Sequence, residues 1–165
     1  MQPALAAMTR QLSALRTILQ KAEDHCEARG IDPAVLMQAR LFPDMLPFCR
    51  QVTIACDHAK GAAHRLAQRE IPSMLDVETS LGELRDRIER TMAMVAEVPA
   101  EAMEGFEGRS VTIRMRGGEM SLPGRDYLWN FALPNLFFHA ATAYNILRHN
   151  GVELGKGDFL GVSGR

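Results

Sequence analysis

The stretch from Leu5 to Cys26 constrains the fold more than any other part of this chain. Leu5, Met8, Leu12, Leu15, Leu19, Ala22 and Cys26 recur at alternating steps of three and four. That spacing draws one apolar stripe down a helix from about Ala4 to Arg29. Gly30 is its stop, and Arg29 suits the negative end of the helix dipole. A helix this long with a single stripe has to bury it against neighbours, so the rest of the chain should supply helices that accept it.

The following segments do so. Asp32 and Pro33 open a short helix as cap and first helical residue. A second long helix is expected from Pro43 or Asp44 to about Arg69. Its buried side carries Met45, Phe48, Cys49, Val52, Ala55, Cys56, Ala59, Ala62, Ala63 and Leu66. Gly61 inside it costs about 1 kcal/mol against Ala, which suggests close approach of a neighbouring helix. A third long helix is expected from about Val77 to Val98, with Val77, Leu81, Leu84, Ile88, Met92 and Val95 facing in and the charged "ELRDRIER" face solvated.

The period then changes. Val111, Ile113 and Met115 alternate with Thr112, Arg114 and Arg116; after Gly117-Gly118, Met120 and Leu122 alternate with Glu119 and Ser121. Period two around a glycine pair predicts a β-hairpin that leans on the helices, with arginines opposite Glu119. A last long helix is expected from Asp126 to Asn150, stopped by Gly151 and kinked where Pro134 cannot bond the Asn130 carbonyl. In the tail, Phe159 and Leu160 should tuck against the helices. The expected class is all-α: one domain over residues 1–165, an antiparallel four-helix bundle with a small β-hairpin inserted before the last helix.

Composition narrows the function classes. The net charge of −1 favours neither nucleic acid nor an anionic membrane, so no nucleic-acid or membrane partner is expected. No apolar run approaches the roughly 20 residues that span a bilayer. The opening "MQPALAAMTRQLSALR" lacks a basic region followed by an apolar core and reads as helix rather than leader. The three cysteines, Cys26, Cys49 and Cys56, form no CxxC pair. Cys49 and Cys56 sit about 10 Å apart along one helix, beyond disulfide reach. Reduced core thiols and a cytoplasmic setting are expected.

One candidate pocket stands out. On the last helix, Asn135, His139 and Thr142 share a face within an otherwise apolar segment. On the second, Thr53, Asp57, Lys60 and His64 form a polar stripe, with His58 beside it nearer the small residues. Turned toward Asn135 and His139, the Asp57 side would bring carboxylate and imidazole together, and the carboxylate would raise the basicity of the free ring nitrogen. Each residue has a plainer reading. His139 reads equally as a satisfied core histidine, Asp57 with Lys60 as a solvated pair, and Thr142 as a hydroxyl bonded to the preceding turn. His25 and His149 suit helix C-termini, and His58 and His64 are expected at the surface. No HExxH, phosphate loop, nucleophile elbow or zinc-finger spacing occurs.

The segments "ARLFPDMLPFCRQV", "ACDHAKGAAHRL", "GRDYLWNFALPNLFFH" and "AYNILRHNGVELGKGDFLG" resemble the bacterial family called domain of unknown function nineteen ninety-three. That family sits within the DinB/YfiT-like superfamily, whose members are described as metalloenzymes. The resemblance runs over nearly the whole chain and implies the four-helix bundle. Superfamily members that bind metal use one histidine of the second helix and an HxxxH pair of the last. His139 is similar to the first of that pair; the second falls at Ala143, which has no ligating atom. Asp57 or His58 is nearest to the second-helix position. A divalent transition metal, zinc, nickel or iron, held by His139, Asp57 and His58 is the altered site that the resemblance allows.

Three readings compete. The first is a metal-dependent enzyme of the thiol-transferase type, with His139 as ligand or general base, Asp57 orienting it and Asn135 positioning substrate. The second is a small-molecule binder whose pocket is formed by Asn135, Thr142 and Lys60 and roofed by Trp129, Phe131 and Phe138. The third is a structural protein that forms a homodimer through a helix face. Which side of the second helix meets the last one decides among the residue roles, and the sequence leaves it open.

Overall fold

The computed structural model describes residues 3–115 and 117–162. Helix α1 (Pro3–Arg29) buries the whole expected stripe and adds Ile18 to it. It stops where Gly30 takes a left-handed φ of 63°. The Gly30 amide then donates to the Glu27 carbonyl at 3.3 Å and the Ile31 amide to the Cys26 carbonyl at 2.9 Å, which satisfies the last carbonyls of the helix. Helix α2 (Pro33–Gln38) begins with Asp32 accepting from the Ala34 amide at 2.9 Å.

Helix α3 (Phe48–Leu66) is shorter at both ends than its apolar pattern suggests. At the start, Pro47 is extended with ψ 164°, and a proline there disfavours helical backbone at Leu46. At the end, Gln68 takes φ 54° and the Arg69 amide turns back to the His64 carbonyl at 2.9 Å. Helix α4 (Leu81–Ala96) starts later than Val77, which is 69% exposed. The signal is a Ser80 cap: Ser80 Oγ accepts from the Glu83 amide at 3.2 Å, and the Glu83 carboxylate accepts from the amide of the preceding residue, Thr79. Leu81, Leu84, Ile88 and Val95 are buried as the period requires.

Two short 3-10 turns (Glu101–Met103 and Phe106–Gly108) lead into strands β1 (Ser110–Met115) and β2 (Gly118–Pro123). The strands pair antiparallel, with Arg114 opposite Glu119 and Met115 opposite Gly118. The second glycine therefore belongs to the strand rather than to the turn. Val111 and Ile113 are buried, and Met120 and Leu122 pack against the same core. Arg116 lies outside the described residues.

A single helical turn, α5 (Gly124–Asp126), passes into a π-helical segment, Tyr127–Ala132, and then into α6 (Leu133–His149). The expected kink at Pro134 is resolved in this way. The Leu133 amide donates to Leu128, five residues back, and Pro134 falls within the first turn of α6, where its missing N–H leaves no bond unmade. The last helix is α7 (Lys156–Leu160). Its Phe159 packs on Tyr144 with ring centres 5.9 Å apart, whereas Leu160 is 44% exposed, contrary to expectation. Val152 and Leu154 are the residues that bury the tail.

The described residues thus form seven α-helices rather than four, with a small antiparallel hairpin. The long helices α1, α3, α4 and α6 pack on one another around one core. Helix α3 lies between α4 and α6, and that placement gives its two polar flanks different neighbours. Among the described residues no helix is long and apolar enough to cross a membrane. Cys26, Cys49 and Cys56 are all free thiols.

Candidate functional site

Successive residues on an α-helix point about 100° apart. Asp57 and His58, neighbours in sequence, therefore leave α3 in different directions. His58 faces α6 and meets His139: the two imidazoles stack with centroids 5.9 Å apart and planes 14° from parallel. Phe131 stands edge-on to His58 at 5.7 Å, and Phe138 edge-on to His139 at 5.2 Å. The expectation that His58 lies on the surface is corrected; it is half-buried. Burial is the main cause that lowers its pKa to about 4, with the neighbouring His139 and Arg65 adding repulsion. Burial also lowers the pKa of His139. Both rings are neutral at neutral pH.

The orientation of His139 comes from Gln51, two turns before His58 on the same face of α3. Nδ1 of His139 lies 2.7 Å from Oε1 of Gln51, and Nε2 of Gln51 donates to the Leu46 carbonyl at 2.9 Å. A backbone carbonyl only accepts, so the amide nitrogen must face Leu46 and the amide oxygen must face His139. Nδ1 of the neutral ring then carries the proton, and Nε2 keeps its lone pair. Gln51 is only 2% exposed, so reversing its amide would leave the Leu46 carbonyl facing another oxygen, at about 1–3 kcal/mol for the lost bond. The site offers a hydrogen-bond acceptor of fixed direction beside a second neutral imidazole, between aromatic walls.

The other flank of α3 is ionic. Asp57 pairs with Lys60 and with Arg87 of α4, each at 3.3 Å. Arg87, expected on a solvated face, is fully buried. Its guanidinium also pairs with Asp76 and Glu78 at 3.0 Å and donates to the Leu75 carbonyl at 2.9 Å. These bonds hold the extended segment 70–79 across α3 and α4. The expected meeting of Asp57 with His139 is therefore replaced by a meeting of Gln51 and His58 with His139. Lys60 is buried within the ionic flank. The expectation that His64 lies on the surface is also corrected: it is buried, with Nδ1 2.9 Å from the Lys60 carbonyl one turn back.

The remaining candidates on the last helix bond locally. Asn135 donates to the Phe131 carbonyl at 2.7 Å, and Thr142 donates to the Phe138 carbonyl at 2.8 Å, the plainer role foreseen for it. Trp129 is 56% exposed and lines a separate cleft of about 410 Å³ with Phe106, Arg125 and Leu128, so it is not placed over His139. Gly61 is approached by its own helix rather than by a neighbour: a Cβ there would overlap the guanidinium of Arg65, which folds over it to reach the Tyr127 hydroxyl at 3.2 Å.

A three-ligand metal centre does not fit this arrangement. Asp57 is committed to Lys60 and Arg87, and Ala143 fills the place one turn beyond His139 with a fully buried methyl group. Among the described residues no three His, Cys, Asp or Glu side chains group to hold an ion. Two neutral imidazoles are what this face contains.

Gln51 and Arg87 were not singled out from the sequence. Gln51 sits in "FCRQV" among buried positions, where a carboxamide demands a partner. Arg87 lies three residues after Leu84 and four before Thr91, both buried, and so shares their side of α4.

Comparison with known proteins agrees with the fold. The chain is similar to a DinB family member protein from Shewanella denitrificans, known from a crystal structure. The two are 36% identical, with a TM-score of 0.88 over 98% of this chain and 91% of that one. No curated protein matches. The family model described as domain of unknown function (DUF1993) matches residues 2–160. With a helical fold of the DinB type and that match over nearly its whole length, the chain belongs to the DUF1993 family.

Proposed function

We propose that the α3–α6 face binds a small molecule that carries a protic O–H, N–H or S–H group on an apolar body. Nε2 of His139 accepts that hydrogen bond, and the proton where chemistry follows. His58 stands beside it as a second acceptor, and Phe131 and Phe138 supply the apolar walls. We read the four long helices as the bundle that holds this face, with the short helices as additions to it. The observation that carries the reading is the 2.7 Å contact between Gln51 and His139, which leaves the other ring nitrogen with a lone pair. Neutral imidazoles with aromatic neighbours favour uncharged donors over anions. In this reading Asp57, Lys60, Thr142 and Trp129 take no part, because their bonds or positions lie elsewhere.

The test is a titration with phenol followed through the histidine ring resonances, with anisole as the control that lacks the O–H. Phenol should shift His58 and His139 and anisole should not; His139→Ala should abolish the response. Equal responses to both would sink the hydrogen-bonding role. Metal content of tag-free protein, measured by plasma mass spectrometry beside His139→Ala, decides the alternative. Near one zinc, nickel or iron per chain, lost in the variant, would replace this reading with a metal-dependent enzyme of altered ligands.

A further inference from the structure

We infer that Gln51 is a positioning residue that sets which nitrogen of His139 carries the proton, and that the connector 39–47 sets Gln51 through the Leu46 carbonyl. The inference deepens the proposed site and rests on His139 being its acceptor. The elements form one chain: the Leu46 carbonyl accepts from Nε2 of Gln51, and Oε1 of Gln51 accepts from Nδ1–H of His139. Each link dictates the polarity of the next, because a carbonyl has no proton to give and an amide has one end of each kind. Water cannot substitute freely at an amide that is 2% exposed.

The connector is itself held. The Met45 amide donates to Phe42 at 3.0 Å, and the Phe48 amide donates to Ala39 at 2.9 Å, across the foot of α3. Pro47 fixes the backbone immediately after Leu46. Yet Leu41, Phe42 and Leu46 are 39%, 63% and 46% exposed, so the connector lies at the surface while its carbonyl reaches inward. Withdrawing the Leu46 carbonyl frees the Gln51 amide to turn. A turned amide donates to His139 instead, so Nδ1 takes the lone pair and Nε2 the proton. Nε2 then changes from acceptor to donor without any charge appearing. The other groups that face this pair are His58 on α3, with Arg65 acting on it, and Phe138 on α6.

The experiment is long-range nitrogen–proton correlation of the histidine rings in the full chain at a pH of about 7.5. Wild type should show His139 protonated at Nδ1. Gln51→Leu should move His139 toward the Nε2-protonated form. Gln51→Glu, whose carboxylate can only accept, should restore Nδ1 protonation and raise the His139 titration by about one pH unit or more. Pro47→Gly should give a mixture of the two tautomers. An Nε2-protonated wild type, or a tautomer indifferent to Gln51→Leu and a titration indifferent to Gln51→Glu, overturns the role of Gln51; an unchanged tautomer in Pro47→Gly overturns that of the connector. Should Gln51→Leu not fold, the glutamate variant decides alone. Phenol binding that survives an unchanged tautomer leaves the site and removes this device; the expected tautomer shifts without phenol binding do the reverse.

Discussion

The two flanks of α3 make a natural comparison. Both bury polar side chains against a neighbouring helix. Against α4, carboxylates and cations neutralise one another: Arg87 alone meets Asp57, Asp76 and Glu78. Against α6, the groups are uncharged, and the described contact uses one nitrogen of His139 while its other keeps a lone pair. An ionic cluster of this kind holds chain segments together. An acceptor with fixed direction that the described contacts leave unused is what a ligand can meet. The difference separates a clamp from a candidate site although both grow from adjacent residues, Asp57 and His58.

The comparison is broken most forcefully at the clamp. Arg87→Met should cost about 3–5 kcal/mol of unfolding free energy in urea, because it leaves Glu78, with a side chain only 3% exposed, to the longer 3.6 Å pair with Arg90. His139→Ala should cost less than half as much by the same measurement. Equal losses would mean that both flanks serve stability alike.

The next effect is in pH. The folded pKa of His58 lies at about 4, below its ordinary 6.5. The unfolded chain therefore binds the proton more readily, so this contribution is complete above pH 6.5 and is lost as pH falls toward 4. Between neutral pH and pH of about 4.5, roughly 2 kcal/mol of stability should disappear through this residue. His58→Leu should flatten that slope relative to wild type. An unchanged slope would place the acid sensitivity in the carboxylates of the other flank.

Gln51→Leu should destabilise by about 1–3 kcal/mol, read from the same urea curves, through a carbonyl and a ring nitrogen left without partners. The smallest effect is expected at Gly61→Ala. Helix propensity gains about 1 kcal/mol, and displacement of Arg65 from the Tyr127 hydroxyl loses about as much. Thermal unfolding should barely move, and Gly61→Ala in an Arg65→Ala background should stabilise.

Much of the frame was legible. The α1 stripe, the Gly30 stop, the Asp32 cap and the Arg114–Glu119 pairing all follow from local rules, because period, caps and turns depend on near neighbours in the chain. The start of α4 was also readable in Ser80 and Glu83, although the apolar repeat through Val77 argued for an earlier one. The π-helical answer to Pro134 was not readable. A proline signals that one bond is missing, but whether the chain kinks or inserts a wider turn depends on what packs around it.

His139 could be picked out from sequence alone, since a polar residue among phenylalanines and alanines needs a partner. Its partner could not. Both flanks of α3 border its buried stripe, and periodicity treats them alike. Only the packing of α4 on one side and α6 on the other sent Asp57 to Arg87 and His58 to His139. The elements were written in the spacing of residues a few positions apart. The site was decided by contacts between residues 88 apart in the chain, and these depend on how the helices are arranged in space.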